Sequence, residues 1–205
     1  MSLDPVNLAS DLIKIKSITP HGQEAINLIK SILENHGFDC KILTFGEEEE
    51  EVINLYARYG KKSPNLCFAG HVDVVPEGMS EDWSFGPFSG EIINNQLCGR
   101  GAVDMKSSIA TFISSAIEFL EKNNEFESLG SISFIITSDE EGKAINGTKK
   151  VVEWLKNNKE NIDDCIVGEP TNPNKLGDMI KIGRRGSYSG NLIVHGIQGH
   201  VGYPH

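Results

Sequence analysis

Histidine and carboxylate residues gather at four places along the chain, each directly after a run predicted to be a strand or a tight turn. The four clusters are His71-Val72-Asp73, Asp104, Asp139-Glu140-Glu141 and Gly168-Glu169-Pro170. The carboxyl ends of neighbouring strands meet at one edge of an open α/β sheet, which brings such clusters together. One imidazole and several carboxylates suit Zn²⁺, Co²⁺ or Mn²⁺, and the lack of thiolates beside them favours a catalytic over a structural site.

The spacing within each cluster indicates what its members do. His71 and Asp73 are two residues apart in a predicted strand, so both side chains point to one face and Asp73 can orient the imidazole. Glu140 and Glu141 diverge from adjacent positions, so one can bind metal while the other acts as a general base. Asp104 is placed to bridge two ions, although a helix N-cap remains an alternative, and each motif alone is more often a surface or capping group.

Hydrophobic periodicity predicts alternating helices and strands around these clusters. Helices are predicted over Asp4–Lys16, Glu24–His36, Met105–Lys122 and Thr148–Asn157. Strands are predicted over Phe38–Phe45, Val52–Tyr59, Asn65–Val75, Ser131–Thr137 and Cys165–Val167, with a hairpin over Ile92–Cys98. This alternation predicts an α/β fold in which a mostly parallel mixed sheet carries helices on both faces. Polar and apolar residues alternate over Tyr188–His195, which predicts the first strand of a separate antiparallel sheet.

The composition limits the partners of the protein. The 205 residues include 19 Lys and Arg against 29 Asp and Glu, a net charge of −10, which argues against nucleic acid and anionic membranes as partners. No apolar run approaches the roughly 20 residues that span a bilayer, and the amino terminus lacks the pattern of a signal peptide. The run Glu47–Glu51 is interpreted as a solvated turn. We therefore expect a soluble, cytoplasmic protein with a small-molecule substrate.

The four cysteines, Cys40, Cys67, Cys98 and Cys165, form no CxxC pair. Three of them lie inside apolar runs that are predicted to be strands. Free thiols that pack as small hydrophobic groups are therefore favoured over the alternatives, which are a disulfide or a thiolate metal site. Free thiols fit a reducing compartment.

Four long motifs resemble the dinuclear-zinc amidohydrolases of the aminoacylase, carboxypeptidase and deacetylase superfamily. These motifs are Phe68–Pro76, Gly99–Lys106, Thr137–Gly142 and Val167–Thr171. Two further segments, Gly183–Ser187 and Gly199–His205, look most like the desuccinylase branch of that superfamily. Gly202 departs from the pattern of this branch, which usually has alanine there. The resemblance covers essentially the whole chain.

The resemblance implies a role for each residue of the clusters. His71 and Glu169 would bind one zinc ion, Glu141 the other, and Asp104 would bridge them, with Glu140 as general base and Asp73 orienting His71. In addition, His200 would reach across a homodimer to support the oxyanion, and Arg184, Ser187 and Tyr203 would bind substrate. Two zinc ions per full-length subunit are implied, with Co²⁺ as a substitute. The second zinc ion needs a further histidine, and His205 is not assigned to it.

The resemblance also implies an activity and a domain organisation. The activity is hydrolysis of N-succinyl-LL-2,6-diaminopimelate to succinate and LL-2,6-diaminopimelate, in lysine and diaminopimelate biosynthesis. Residues 1–182 would form the catalytic zinc-binding domain, and residues 183–205 would begin an α+β lid or dimerisation domain. The chain is then expected to be the N-terminal portion of a longer enzyme, with little activity alone. The alternatives are an acetylornithine deacetylase or another N-acyl-amino-acid deacylase or carboxypeptidase, a non-catalytic metal or amino-acid binding module, and an α/β domain with surface acids.

Overall fold

The computed structural model describes residues 3–48, 51–183, 186, 188 and 190–203. The chain divides into two compact units, Met1–Pro170 and Thr171–His205, and each is described by itself. All helices and strands of the described residues lie in the first unit. No helix in the described part of the chain is both long enough and apolar enough to cross a membrane.

Four α-helices form in the described part of the first unit, and local sequence explains where they begin and end. The helices are α1 Pro5–Lys14, α2 Gln23–Asn35, α3 Ser107–Lys122 and α4 Thr148–Asn157. Helix α1 begins after Asp4, whose carboxylate accepts a hydrogen bond from the backbone N–H of Val6 at 2.8 Å. Helix α2 is followed by Gly37, whose φ of +84° lies in the left-handed region that favours glycine.

Five strands form one mixed sheet, and two short strands form a hairpin. In chain order the strands are β1 Asp39–Phe45, β2 Val52–Tyr59, β3 Asn65–His71, β4 Ile92–Ile93, β5 Gln96–Leu97, β6 Ser131–Thr137 and β7 Asp164–Val167. The sheet has the order β1-β2-β6-β3-β7, and β4 pairs with β5 in the hairpin. Strand β3 runs parallel to both β6 and β7, so these three strands have their carboxyl ends at the same edge of the sheet.

Strand β6 shows how helices cover both faces of the sheet. Ile132, Phe134 and Ile136 pack into the core that α1, α2 and α3 form on one face. Ile135, which points the other way, packs with Tyr56 and with helix α4 on the opposite face. All residues of β6 are buried, as expected of a central strand that is covered on both sides. The predicted α/β fold with helices on both faces is confirmed.

Some boundaries and strand directions differ from the sequence-based predictions. The predicted spans Val52–Tyr59, Ser131–Thr137 and Thr148–Asn157 match the structure. Strand β3 ends at His71, because only an isolated bridge between Val74 and Ile18 continues the pairing beyond it. The sheet is mixed, as predicted, but only half of its strand pairs are parallel, since β1–β2 and β2–β6 are antiparallel.

The described residues of the second unit form no helix or strand. The prediction of a strand over Tyr188–His195 is therefore wrong for its described residues, Tyr188 and 190–195. A strand needs a hydrogen-bonded neighbour, and alternation of polar and apolar residues does not supply one. The assignment of residues 1–182 to a catalytic domain and of residues 183–205 to a lid or dimerisation domain stays a prediction.

Candidate metal centre

His71 ends β3 and stands at the centre of the predicted cluster. Its Nδ1 lies 2.8 Å from the backbone oxygen of Asp73, which can only accept, so Nδ1 carries the proton. Its Nε2 lies 3.0 Å from Asp104 Oδ1 and 3.3 Å from Glu169 Oε1. Burial lowers the pKa of His71, but hydrogen bonds with Asp73 and Glu169 outweigh it and raise the pKa to about 11. The geometry therefore leaves Nε2 as the nitrogen that faces the carboxylates.

The fully buried carboxylate of Asp73 fixes the backbone of the two glutamates. Its oxygens accept hydrogen bonds from the N–H of Glu140 at 3.1 and 3.2 Å and from the N–H of Glu141 at 3.0 Å. The carboxylate lies 3.5 Å from His71 Nδ1, which is farther than the Asp73 carbonyl. Burial opposes ionisation, but the hydrogen bonds from His71 and Glu141 hold the pKa of Asp73 below its ordinary value. Asp73 thus positions the glutamates as well as His71.

Asp104 is presented by a turn and not by a helix. Gly101, with a φ of +83°, enters this turn in a conformation that favours glycine, and Asp104 itself has an extended backbone with φ −125° and ψ 97°. The peptide bond between Asp104 and Met105 is cis. Helix α3 begins at Ser107, and no side-chain hydrogen bond caps it. The alternative role of Asp104 as a helix N-cap is therefore excluded.

Two glycines allow a methionine to pack against the strand ends that carry the cluster. Met105 is fully buried, and its Sδ lies 3.4 Å from the backbone nitrogen of His71. A Cβ at Gly70 would lie 2.6 Å from Met105 Cε, and a Cβ at Gly168 would lie 3.0 Å from the same atom. A Cβ at Gly168 would also lie 2.5 Å from Phe68 Cζ, so a larger residue at either position would force the side chain of Met105 or Phe68 to shift.

Asp139 is a positioning residue that sequence reasoning missed. It is only 4% exposed, and its carboxylate accepts hydrogen bonds from the N–H groups of Ala144 at 3.0 Å, Ile145 at 3.1 Å and Asn146 at 3.1 Å. These bonds close the loop that follows Glu140 and Glu141. An aspartate beside two glutamates in the sequence gave no signal to separate it from the predicted ligands, because its partners follow it by five to seven residues.

Lys106 is a second residue that sequence reasoning missed. Its ammonium group is completely buried and donates to the carbonyl oxygens of Leu12 at 2.8 Å and Ile15 at 2.9 Å. Burial lowers the pKa of Lys106 to about 8. The two hydrogen bonds tie the end of α1 to the turn that carries Asp104, at carbonyls that also accept backbone hydrogen bonds from Ile15 and Ser17.

The side chains of the cluster form two groups that can each surround a metal ion. One group is His71, Glu140 and Glu169, and the other is His71, Asp104 and Glu141, with the ligand atoms of each group within 4.8 Å of one another. Nitrogen and carboxylate oxygen donors of this kind fit a divalent cation. The structure therefore brings together His71, Asp104, Glu141 and Glu169, the ligands that were assigned from the sequence. The two groups share His71 and not Asp104, the predicted bridge, and because Nδ1 of His71 is engaged by the Asp73 carbonyl, its Nε2 can bind only one ion at a time.

Mutual repulsion of the carboxylates also favours a cation. Burial, followed by the charge of Glu169, raises the pKa of Asp104 above its ordinary value. Burial and the charges of neighbouring carboxylates likewise raise the pKa values of Glu140 and Glu141, although His71 opposes the shift. A bound cation stabilises the ionised form of each group and so removes this cost.

The other predicted site residues, which are Arg184, Ser187, His200 and Tyr203, belong to the second unit. His200 accepts a hydrogen bond at Nδ1 from the N–H of Gly202 at 3.0 Å, and its ring lies 5.2 Å from the ring of Tyr203. Both residues keep their assigned roles as predictions. Arg184 and Ser187 lie outside the described residues.

A mixed α/β sheet with histidine and carboxylate ligands at its strand ends is the framework of a metal-dependent hydrolase. The family model of Peptidase family M20/M25/M40 matches residues 67–200. The chain belongs to this family, which uses divalent metal ions. The predicted resemblance to the superfamily is thereby confirmed.

The curated relatives give a more specific comparison. The chain is 54% identical over 206 residues to the succinyl-diaminopimelate desuccinylase of Rhodospirillum centenum, with 100% of this chain and 53% of that protein covered. It is 54% identical over 204 residues to the enzyme of the same name from Wolbachia pipientis wMel, with 100% of this chain and 50% of that protein covered. The chain thus spans about half the length of the curated relatives it matches.

Solved structures support the fold. A metallo-carboxypeptidase of the M20 family from Sulfolobus solfataricus superposes with a TM-score of 0.66 at 23% identity, covering 80% of this chain and 37% of that one. Human carnosine dipeptidase 1 gives a TM-score of 0.63 at 22% identity, with 80% and 37% covered. At this level of identity the comparison establishes the α/β exopeptidase-like fold alone.

Proposed function

We propose that the chain carries the metal-binding part of a succinyl-diaminopimelate desuccinylase, which hydrolyses N-succinyl-LL-2,6-diaminopimelate to succinate and LL-2,6-diaminopimelate. The observation that carries the chemistry is the pair of ligand groups that share His71. The observation that favours this substrate is the name shared by the curated relatives, which are 51–54% identical to the chain.

Zinc is the ion that we assign to these groups, with two ions per full-length subunit and Co²⁺ as a substitute. His71, Asp104, Glu141 and Glu169 would hold the ions, because they supply the imidazole and carboxylate donors of the two groups. Bound zinc would polarise the amide carbonyl and lower the pKa of the attacking water.

Glu140 is the general base in this proposal. Its backbone N–H is held by the Asp73 carboxylate, which keeps its side chain beside the ligands. Glu140 also belongs to one of the two groups, and the role of base is assigned to it because the resemblance gives the ligand role to its neighbour Glu141. Burial and neighbouring charges raise its pKa, which suits a group that first accepts and then releases a proton. Glu140 would take a proton from the attacking water and deliver it to the leaving amine.

The remaining assignments rest on the resemblance of the motifs. His200 would support the oxyanion across a homodimer, while Arg184, Ser187 and Tyr203 would bind the carboxylate-rich substrate. We assign the protein to the cytoplasm, where diaminopimelate is made. An N-acetyl substrate is the competing possibility, but no contact among the described residues favours it.

A chimera tests the substrate and the chemistry together. Residues 1–205 would replace the matched half of the Rhodospirillum centenum relative, and the zinc-loaded chimera would be assayed with N-succinyl-diaminopimelate and N-acetylornithine. We expect turnover of the succinyl substrate by the chimera and its loss in Glu140→Gln. A folded, zinc-loaded chimera without turnover would contradict the proposal, provided that the parent relative is active. Preference for N-acetylornithine would instead identify a deacetylase.

A further inference from the structure

Two cysteines face each other across adjacent strands, away from the metal ligands. Cys67 in β3 and Cys165 in β7 are directly opposite in the parallel register. Adjacent strands are about 4.7–4.9 Å apart, which lies inside the range of roughly 4.4–6.8 Å that disulfides span between Cα atoms. Directly opposite residues also point to the same face of a sheet, so the two sulfur atoms lie on one side.

The two thiols differ in access and in acidity. Cys67 is completely buried, whereas Cys165 is exposed on the edge strand. The neighbouring Cys67 thiol, whose Sγ lies 3.5 Å from the Phe68 carbonyl oxygen, lowers the pKa of Cys165 to about 7, although partial burial opposes the shift. The proximity of Cys165 and burial raise the pKa of Cys67. An exposed thiolate beside a protonated, protected thiol is the arrangement of an attacking and a resolving cysteine.

We propose that Cys67 and Cys165 are a reversible redox pair, which hydrogen peroxide oxidises to a disulfide between β3 and β7. This inference does not depend on the hydrolytic function. Because β3 ends at His71 and β7 leads to Glu169, the cross-link would join the two strands that deliver these ligands. The disulfide would also hold β7 against β3, which is its only strand neighbour among the described residues because β7 lies at the edge of the sheet.

The oxidation proceeds in two balanced steps. The Cys165 thiolate attacks one peroxide oxygen, so that an S–O bond forms, the O–O bond breaks, and the departing hydroxide takes up a proton to give water. The Cys67 sulfur then attacks the sulfenic sulfur of Cys165, so that the S–S bond forms and the S–O bond breaks. The departing hydroxide takes the proton of Cys67 and gives a second water. Two thiols are oxidised for each peroxide reduced, and an added dithiol reduces the disulfide back to two thiols while it is itself oxidised.

The test follows the four thiols of the 205-residue chain during treatment with hydrogen peroxide. Thiol titration, intact mass and peptide mapping after alkylation would be measured before and after reduction with dithiothreitol. We expect the loss of two thiols without added oxygen, a Cys67–Cys165 peptide pair within one chain, and full recovery on reduction. Cys98→Ser is the matched control, because Cys98 is a partly buried thiol that donates to its own hairpin at Gln96 O; this variant should still form the pair.

The single variants separate the two roles. Cys165→Ser should leave Cys67 reduced, because the buried thiol has no access to peroxide. Cys67→Ala should halt at the sulfenic acid of Cys165, which dimedone traps as a covalent adduct. Wild-type protein that accumulates dimedone adduct or sulfinic acid at Cys165 as readily as Cys67→Ala would overturn the proposal. A disulfide found only between chains, or one that involves Cys40 or Cys98, would overturn it as well.

Discussion

The metal cluster has two halves that the protein holds in different ways. The buried half, His71 and Asp73, is 1% and 0% exposed and is fixed by hydrogen bonds to backbone groups. The exposed half includes Asp104 and Glu169, whose side chains are 47% and 36% exposed and whose charges oppose each other. The comparison shows that folding alone fixes the orientation of the His71 imidazole. The carboxylates of the exposed half, in contrast, need a cation to offset their charges.

The largest effect on turnover should come from Glu140, the proposed general base. Glu140→Gln should lower the turnover of the chimera by about 10²–10⁴-fold while zinc content is kept, because the amide cannot accept a proton. Steady-state rates and zinc per chain are the measurements, and Glu121→Gln on exposed α3 is the control. If Glu140→Gln lost zinc as well as turnover, Glu140 would be a metal ligand, which its position beside His71 and Glu169 also permits. The roles of Glu140 and Glu141 would then be exchanged.

The next largest effect is expected on the thermal stabilisation by zinc, and it concerns His71, which belongs to both groups. Zinc at one hundred times its dissociation constant should stabilise the 205-residue chain by about 2.7 kcal/mol, which raises the melting temperature by roughly 5–10 °C. His71→Ala should abolish this shift, because each group loses its only nitrogen donor. His21→Ala, at an exposed histidine, should keep it. A zinc-dependent shift that survives in His71→Ala would show that the carboxylates alone bind the ion.

The sequence predicted the residues of both halves of the cluster, but not the hydrogen bonds that hold the buried half. Asp104, Glu140, Glu141 and Glu169 were found because carboxylates at successive strand ends form a pattern that is visible along the chain. The hydrogen bonds of Asp73 to Glu140 and Glu141 could not be found, since they join residues 67 and 68 positions apart. A carboxylate that accepts backbone N–H groups has no pattern of its own in a sequence.

The same limit explains what was missed in the fold. The strands β2 and β6 were predicted from apolar periodicity, which is local, but their antiparallel pairing is a contact between residues far apart in the chain. The buried ammonium of Lys106 was missed because its partners, Leu12 and Ile15, are more than 90 residues away. Tyr188–His195 shows the converse, because a local pattern predicted a strand for which the described residues provide no neighbour.

A smaller effect, on zinc affinity, is expected when Asp73 in the buried half is changed, because Asp73 is not a metal ligand. In Asp73→Asn one carboxylate oxygen becomes an NH₂ group, which faces either the N–H groups of the glutamates or Nδ1–H of His71. Zinc affinity should fall by roughly 10–100-fold, the usual cost of losing a group that orients a ligand. Isothermal titration would measure it.

Asp163→Asn is the matched control for Asp73→Asn. Asp163 also accepts a backbone hydrogen bond, from Asn65 N–H at 2.7 Å, but it is exposed and makes no contact with the cluster. Its substitution should leave zinc affinity unchanged. Equal losses in the two variants would mean that general destabilisation, and not the orientation of His71, Glu140 and Glu141, lowers the affinity.

The smallest effect on the metal should come from Asp139, whose carboxylate holds the loop after the glutamates and not the glutamates themselves. In Asp139→Asn one N–H among Ala144, Ile145 and Asn146 would face an NH₂ group in place of an acceptor. The free energy of unfolding should fall by about 1–3 kcal/mol, whereas zinc affinity should change less than in Asp73→Asn, because Asp73 still holds the backbone of Glu140 and Glu141. Urea unfolding and zinc titration on the same preparations would separate the two effects. If Asp139→Asn lost as much zinc affinity as Asp73→Asn, the loop and not the Asp73 carboxylate would set the position of the glutamates. The distinction between the two halves of the cluster would then not hold.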